Sequence, residues 1–247
     1  MLGPPISEIY RSLLNPKLPK TPGACVAIGA DVNPKRTVRH GLQAEPQGPT
    51  QSRDSMERKE RARDFNMSVL PEFHLRFPVD EIGRWAKKSL ERLERSDRKK
   101  QKECNAQLAA NAAANRGYMT MDEFRTIALW KSPRPKRWID LNTPEDVHEA
   151  TQGAFSTPNP YVRIGSLLTL SGVKYPMASA ILHLVKKDVP LLDVNALAAL
   201  NVGISSYDFR FWKAYCDKVA GIQVQTSLSF RTIDRALWEF GDRNRLA

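Results

Sequence analysis

From Val79 to Tyr118 the chain runs for forty residues without a proline, in a stretch made almost entirely of strong helix formers. No other feature constrains the fold as much, because Ala, Leu, Glu, Lys, Gln and Arg lose little side-chain freedom in a helix. Val79, Ile82, Trp85, Ala86, Leu90 and Leu93 recur at three- and four-residue steps and draw one apolar stripe. Asp80 and Glu81 suit a helix start, and Arg116 followed by Gly117 suits its stop. The pattern predicts one helix over the segment. Between Lys87 and Lys102 lie eight basic residues mixed with Glu91, Glu94 and Asp97. They read either as a solvated face laced with i,i+4 pairs, which is preferred, or as a face that contacts phosphates.

From Thr120 onward the pattern is a series of shorter helices. Thr120 and Glu123 form a capping box before MDEFRTIALW, whose Phe124, Ile127, Ala128 and Trp130 should pack inward. SPRPKR then breaks the helix. Thr143-Pro144-Glu145-Asp146 supplies an N-cap, a proline at the first helical position and acid in the first turn, opening a helix to Ala150 or beyond. STPNP at 156–160 is a turn, and further helices are predicted over 161–170, 177–187, 194–200, 207–219 and 229–240. No run of strand-like alternation is present, so the expected class is all-α with short connections. The first sixty residues differ: they hold 8 of the 17 prolines and 5 of the 13 glycines. The expected organisation is an irregular or partly disordered leader over 1–60, with CVAIGA as a short strand or docked extended segment, and a helical domain over 61–247, ordered from near Val79.

The formal net charge is +11, spread as +3, +5 and +3 over residues 1–60, 61–120 and 121–247, which suggests a polyanionic partner without identifying it. No apolar run is long enough for a membrane span, and the start lacks the basic-then-apolar pattern of a secretory signal. Cys25, Cys104 and Cys216 are far apart and odd in number, against both a disulfide framework and a cysteine metal cluster, and the histidines lack metal-ligand spacing. A reduced, intracellular protein without a metal is expected.

Residues 168–200, LTLSGVKYPMASAILHLVKKDVPLLDVNALAAL, carry the most chemistry. A helix ends near Leu170, a tight turn with Gly172 follows, and the next helix opens with Pro176 and the small residues Ala178, Ser179 and Ala180. Exposed amides in such a turn, beside Lys174, suit a phosphate. Asp193 then stands before another short helix, either as an N-cap or as a reactive carboxylate.

This segment resembles the helix-hairpin-helix DNA glycosylase superfamily, the group that contains endonuclease III and the 8-oxoguanine glycosylases. Leu170-Ser171-Gly172-Val173-Lys174 matches its hairpin, within about 161–187, and Leu192-Asp193-Val194-Asn195 matches its aspartate motif, with Asp193 lying 21 residues after Gly172. The resemblance implies two helical lobes around a cleft. It implies that Gly172, Val173, Lys174 and Tyr175, with Arg134 from the basic loop 131–137, hold the backbone of double-stranded DNA, while a target nucleotide flips into the cleft. It implies that Asp193 stabilises the sugar cation, or activates water, as a modified or mispaired base departs. Asn195, Asp234 and Trp238 match base-pocket positions; otherwise Trp238 packs in a core and Asp234 pairs with Arg231 or Arg235. Pro176 stands where bifunctional members carry a lysine, so a monofunctional enzyme without lyase activity is expected, with Lys131 and Lys174 as candidate substitute nucleophiles or phosphate contacts. The lone Cys216 near the C-terminus implies no iron–sulfur cluster, and no other cofactor is expected. A monomer in nucleoid-associated cytoplasm or nucleus completes the expectation. The alternative is a non-enzymatic or structure-selective DNA-binding module on the same hairpin.

Overall fold

The computed structural model describes residues 70–203 and 207–245. The expected leader over 1–60 lies outside them. Among the described residues are ten α-helices and no strand, so the all-α class holds. They are α1 (Ile82–Glu94), α2 (Asp97–Arg116), α3 (Met121–Lys131), α4 (Lys136–Ile139), α5 (Pro144–Ser156), α6 (Pro160–Leu168), α7 (Tyr175–Val185), α8 (Val194–Ala199), α9 (Phe209–Thr226) and α10 (Phe230–Arg243).

The forty-residue run is not one helix. It breaks at Arg95 and Ser96, where Ser96 is extended with φ −138° and ψ 97°. The two halves serve different partners. The stripe of α1 packs on α10, whereas α2 buries Ala106, Ala110 and Ala113 and packs against α3 and α7. A straight helix cannot turn one apolar face toward both. The alanines also let the backbones approach closely, which a leucine stripe would prevent.

The predicted capping box at Thr120 forms, and the N-cap expected at Thr143 proves to be a second box. Thr120 accepts from the Glu123 amide while the Glu123 carboxylate reaches back to the Thr120 amide, and Thr143 and Asp146 do the same at α5, with Pro144 at its first turn. Caps of this kind contribute about 1 kcal/mol each. SPRPKR ends α3 as expected, but the chain does not continue as a loop. Residues 136–139 make the single turn α4, anchored by fully buried Ile139. Order also starts before Val79. Phe73 and Phe77 are buried, and the His74 and Arg76 amides donate to the carbonyls of Leu200 and Ala199 at 2.9 and 3.0 Å. The last turn of α8 has no helical partners for those carbonyls, and this extended segment supplies them.

Helix α7 is central. Every residue from Met177 to Val185 is buried, and it touches α2, α3 and α6. Around it the contacts fall into two sets: α2, α3, α5, α6 and α7 pack together, as do α1, α8, α9 and α10. Helices α1 and α2 join the sets.

Candidate functional site

Asp193 lies at the end of an extended segment, with φ −145° and ψ 150°, and caps α8. Its two carboxylate oxygens have separate partners. Oδ1 accepts from the Asn195 amide at 2.9 Å, and Oδ2 accepts from the Lys131 ammonium at 2.6 Å. Lys131 Nζ also donates to the Leu192 carbonyl at 3.3 Å. The cap and the reactive carboxylate are therefore compatible, since capping uses one oxygen. Only 11% and 18% of the Lys131 and Asp193 side chains remain accessible. That residue of exposure opens on a cavity of about 360 Å³.

The cavity is framed by four helices and the segment before α8. Helix α3 contributes Trp130 and Lys131, and the approach to α8 contributes Leu191 and Asp193. Helix α10 contributes Arg231, Asp234, Arg235 and Trp238, which recur at i, i+3, i+4 and i+7 and so share one face. Helices α1 and α2 complete it with Ser89, Arg92, Leu93, Lys99, Lys102 and Glu103. Six basic and three acidic side chains face the space, a local surplus of positive charge. Of the basic run between 87 and 102, read as solvated helix surface, Arg92, Lys99 and Lys102 also border the cavity, and Lys99 and Lys102 remain exposed there.

Two tryptophans bring aromatic surface under guanidinium groups. Arg92 lies 5.0 Å from the Trp238 ring centre and Arg231 lies 5.5 Å from that of Trp130. Arg92 is held by Asp242 at 2.6 Å. Beneath, Glu103 accepts from Arg231 at 2.7 Å and from Arg235, and Arg231 also donates to Asp234 Oδ2 at 2.6 Å. Burial would raise the Glu103 carboxyl, but the two guanidinium groups outweigh it and hold it below the usual carboxylate range.

Of the sequence-expected residues, Lys131, Asp193, Asp234 and Trp238 meet in this cavity. Asn195 does not line it. Its side chain is buried and turned to Asp242, to which Nδ2 donates at 3.4 Å. The cause is close packing of α8 on α10, where a Cβ on Gly241 would stand 1.8 Å from the Asn195 carbonyl oxygen. Asp234 is paired with Arg231, as its plainer reading held, yet is buried rather than on the surface.

The hairpin lies elsewhere. Gly172 has φ +79°, and a Cβ there would stand 3.1 Å from the Ile139 amide nitrogen and from Trp138 Cβ, so the turn sits directly on α4. Val173 departs from its expected role: its side chain is buried and its amide donates to the Leu170 carbonyl at 3.1 Å. The amides of Gly172, Lys174 and Tyr175 take no partner among the described residues. The Lys174 side chain is exposed there and does not line the cavity that holds Asp193. Tyr175 is half-buried, and desolvation with the nearby Asp208 raises its phenol. Arg134 is exposed.

Sequence reasoning missed Trp138 and Glu103, and had Arg231 and Arg235 only as surface partners of Asp234. Trp138, 43% exposed with Arg137 stacked 3.9 Å above it, joins the basic loop to the hairpin. Arg231, Arg235 and Glu103 form the charged floor. The i, i+3, i+4, i+7 spacing on α10 held the signal for the arginines; Glu103 carried none, because its partners are more than a hundred residues away. No family model, no curated protein and no solved structure matches the chain.

Proposed function

We propose that the chain is a DNA N-glycosylase that takes a modified or mispaired base from duplex DNA and hydrolyses its bond to the sugar. The observation that carries this reading is the convergence of Asp193, Lys131, Asp234 and Trp238 on one cavity with a surplus of positive charge. The cavity suits a nucleotide, with aromatic surface for a base and cations for its phosphates. As the bond between the sugar C1′ and the base nitrogen breaks, its electron pair leaves with the base and positive charge develops on the sugar. The Asp193 carboxylate, fixed through both oxygens, stabilises that charge or takes the proton of the water that adds to C1′. The base nitrogen is protonated on departure. Trp238 offers a ring to the flipped base and Asp234 its second oxygen to a base edge. The hairpin amides of Gly172, Lys174 and Tyr175, with Lys174 and Arg134, hold backbone phosphates.

The test uses full-length protein with duplexes that each carry one altered base, followed by alkali to reveal abasic sites. Asp193→Asn is expected to lower excision by at least about a hundredfold with little change in binding. Tight binding with no abasic product across a broad panel overturns the reading in favour of a non-enzymatic module. Strand cleavage without alkali, with a borohydride-trapped adduct that disappears in Lys131→Met, replaces hydrolysis by an amine route through Lys131.

A further inference from the structure

The segment between α7 and α8 has no regular structure, yet Val189, Leu191 and Leu192 are buried. Its backbone polar groups must therefore find partners outside any helix or sheet. They find side chains. The Leu191 carbonyl accepts from the Tyr215 hydroxyl at 2.7 Å, and the Leu192 amide donates to Ser179 Oγ at 2.9 Å. These two groups are opposite ends of one peptide unit. Ser179 Oγ in turn donates to the Pro176 carbonyl at 3.0 Å, which fixes the direction of its lone pairs. On either side, His183 Nδ1 is 2.9 Å from the Val189 carbonyl and Lys131 Nζ is 3.3 Å from that of Leu192. The partners come from α7, α9 and α3.

A planar peptide held at both ends can neither tilt nor slide, and the next Cα belongs to Asp193. We infer that Ser179 and Tyr215 are positioning residues: two buried hydroxyls grip the Leu191–Leu192 peptide and thereby aim the Asp193 carboxylate at the cavity. Neither side chain lines the cavity, and both are fully buried, so each acts through that peptide. The inference rests on the role proposed above for Asp193. Misplacement of a reacting group by about an ångström costs on the order of a hundredfold in rate, so loosening one grip should be visible in catalysis before it is visible in binding.

The test takes full-length Tyr215→Phe, Ser179→Ala and the double variant through three measurements: melting temperature, Kd for a duplex with an uncleavable target nucleotide, and single-turnover excision at saturating protein. The expected result is a rate about tenfold lower in each single variant, a Kd within about twofold of wild type, and a double variant slower by less than the product of the singles, since both act on one peptide unit. Unchanged saturated rates with a lowered melting temperature overturn the inference and leave the hydroxyls as mere partners for buried backbone. Should Ser179→Ala not fold, Tyr215→Phe decides alone, because it keeps the ring and its edge contact with Phe73 at 6.2 Å. If wild type excises nothing, the proposed function fails, and the positioning is judged by the ¹⁵N–¹H signal of the Lys131 ammonium. That signal broadens in the variants if Asp193 has moved away from Lys131; an unchanged signal overturns the inference.

Discussion

Gly241→Ala should damage the site from a position that touches no ligand. A Cβ at residue 241 would lie 1.8 Å from the Asn195 carbonyl oxygen, 2.7 Å from its carbon and 3.1 Å from its Cα. Ordinary contact begins near 3.4 Å, so α8 and α10 must separate by roughly 1.6 Å. The obstacle is backbone, and no rotamer change relieves it. Overpacking of this kind costs about 1–3 kcal/mol and sometimes more. Against that stands a helix-propensity gain of up to about 1 kcal/mol for alanine over glycine. Because the obstacle is backbone, the cost falls at the upper end of that range, and the net loss of about 2 kcal/mol corresponds to a fall of roughly 4–8 °C in melting temperature for a chain of this size. Asp193 caps the helix that is pushed, so excision should fall with stability. Gly221→Ala in α9 is the control: a Cβ there meets nothing within 4 Å, and its melting temperature should rise by roughly 2 °C. Circular dichroism at 222 nm reads the melts, and the alkali assay reads excision. A Gly241→Ala protein that melts within about a degree of wild type and keeps full activity would refute the close approach of α8 to α10, and with it the account of why Asn195 faces away from the cavity.

Other outcomes follow from the same geometry. Burial lowers the affinity of His183 for a proton, with Arg231 and Lys131 acting the same way against Asp234 and the Val189 carbonyl. The folded chain thus resists a proton that the unfolded chain accepts below about 6.5. Its contribution to stability is complete above that value and is lost as pH falls toward the lower folded value, so His183→Gln should flatten the decline of melting temperature between pH 7 and 5, and an unaltered decline contradicts the burial. If the hairpin and α4 carry DNA phosphates, Lys174→Ala and Arg137→Ala should each reduce the slope of log K against log salt by about 1, without changing base preference; slopes equal to wild type remove both residues from the interface. Burial pushes the Cys216 thiol up to about 12, so peptide mapping after iodoacetamide at pH 8 should find it unmodified in the folded chain and alkylated once urea unfolds it.

What was readable in the sequence was local. A cap lies within four residues, so the Thr120–Glu123 box and the Thr143 N-cap with Pro144 announced α3 and α5 before any tertiary contact was known. Asp193 was legible as a cap for the same reason. The apolar stripe of α1 was legible, but the end of α1 was not, because the break at Ser96 answers to which partner each half meets. The turn α4 was hidden for a similar cause: its anchor, Ile139, is buried only because the Gly172 turn and its neighbours pack on it. Periodicity also stopped α9 at Val219, whereas the helix continues through Gly221 to Thr226.

By itself, then, the sequence determined that the described part of this chain is helical, where many of its helices begin, and that Asp193 stands at the mouth of one of them. Propensity, caps and proline are interactions within a turn or two, and one strand of text contains them. Only the tertiary structure decided that Lys131, 62 residues earlier, holds the second oxygen of Asp193, that Glu103 underlies Arg231 and Arg235, and that Ser179 and Tyr215 seize one peptide from two sides. Such pairings depend on distances between helix axes, set by small residues such as Gly241 and Ala110 whose effect appears only when another backbone arrives against them.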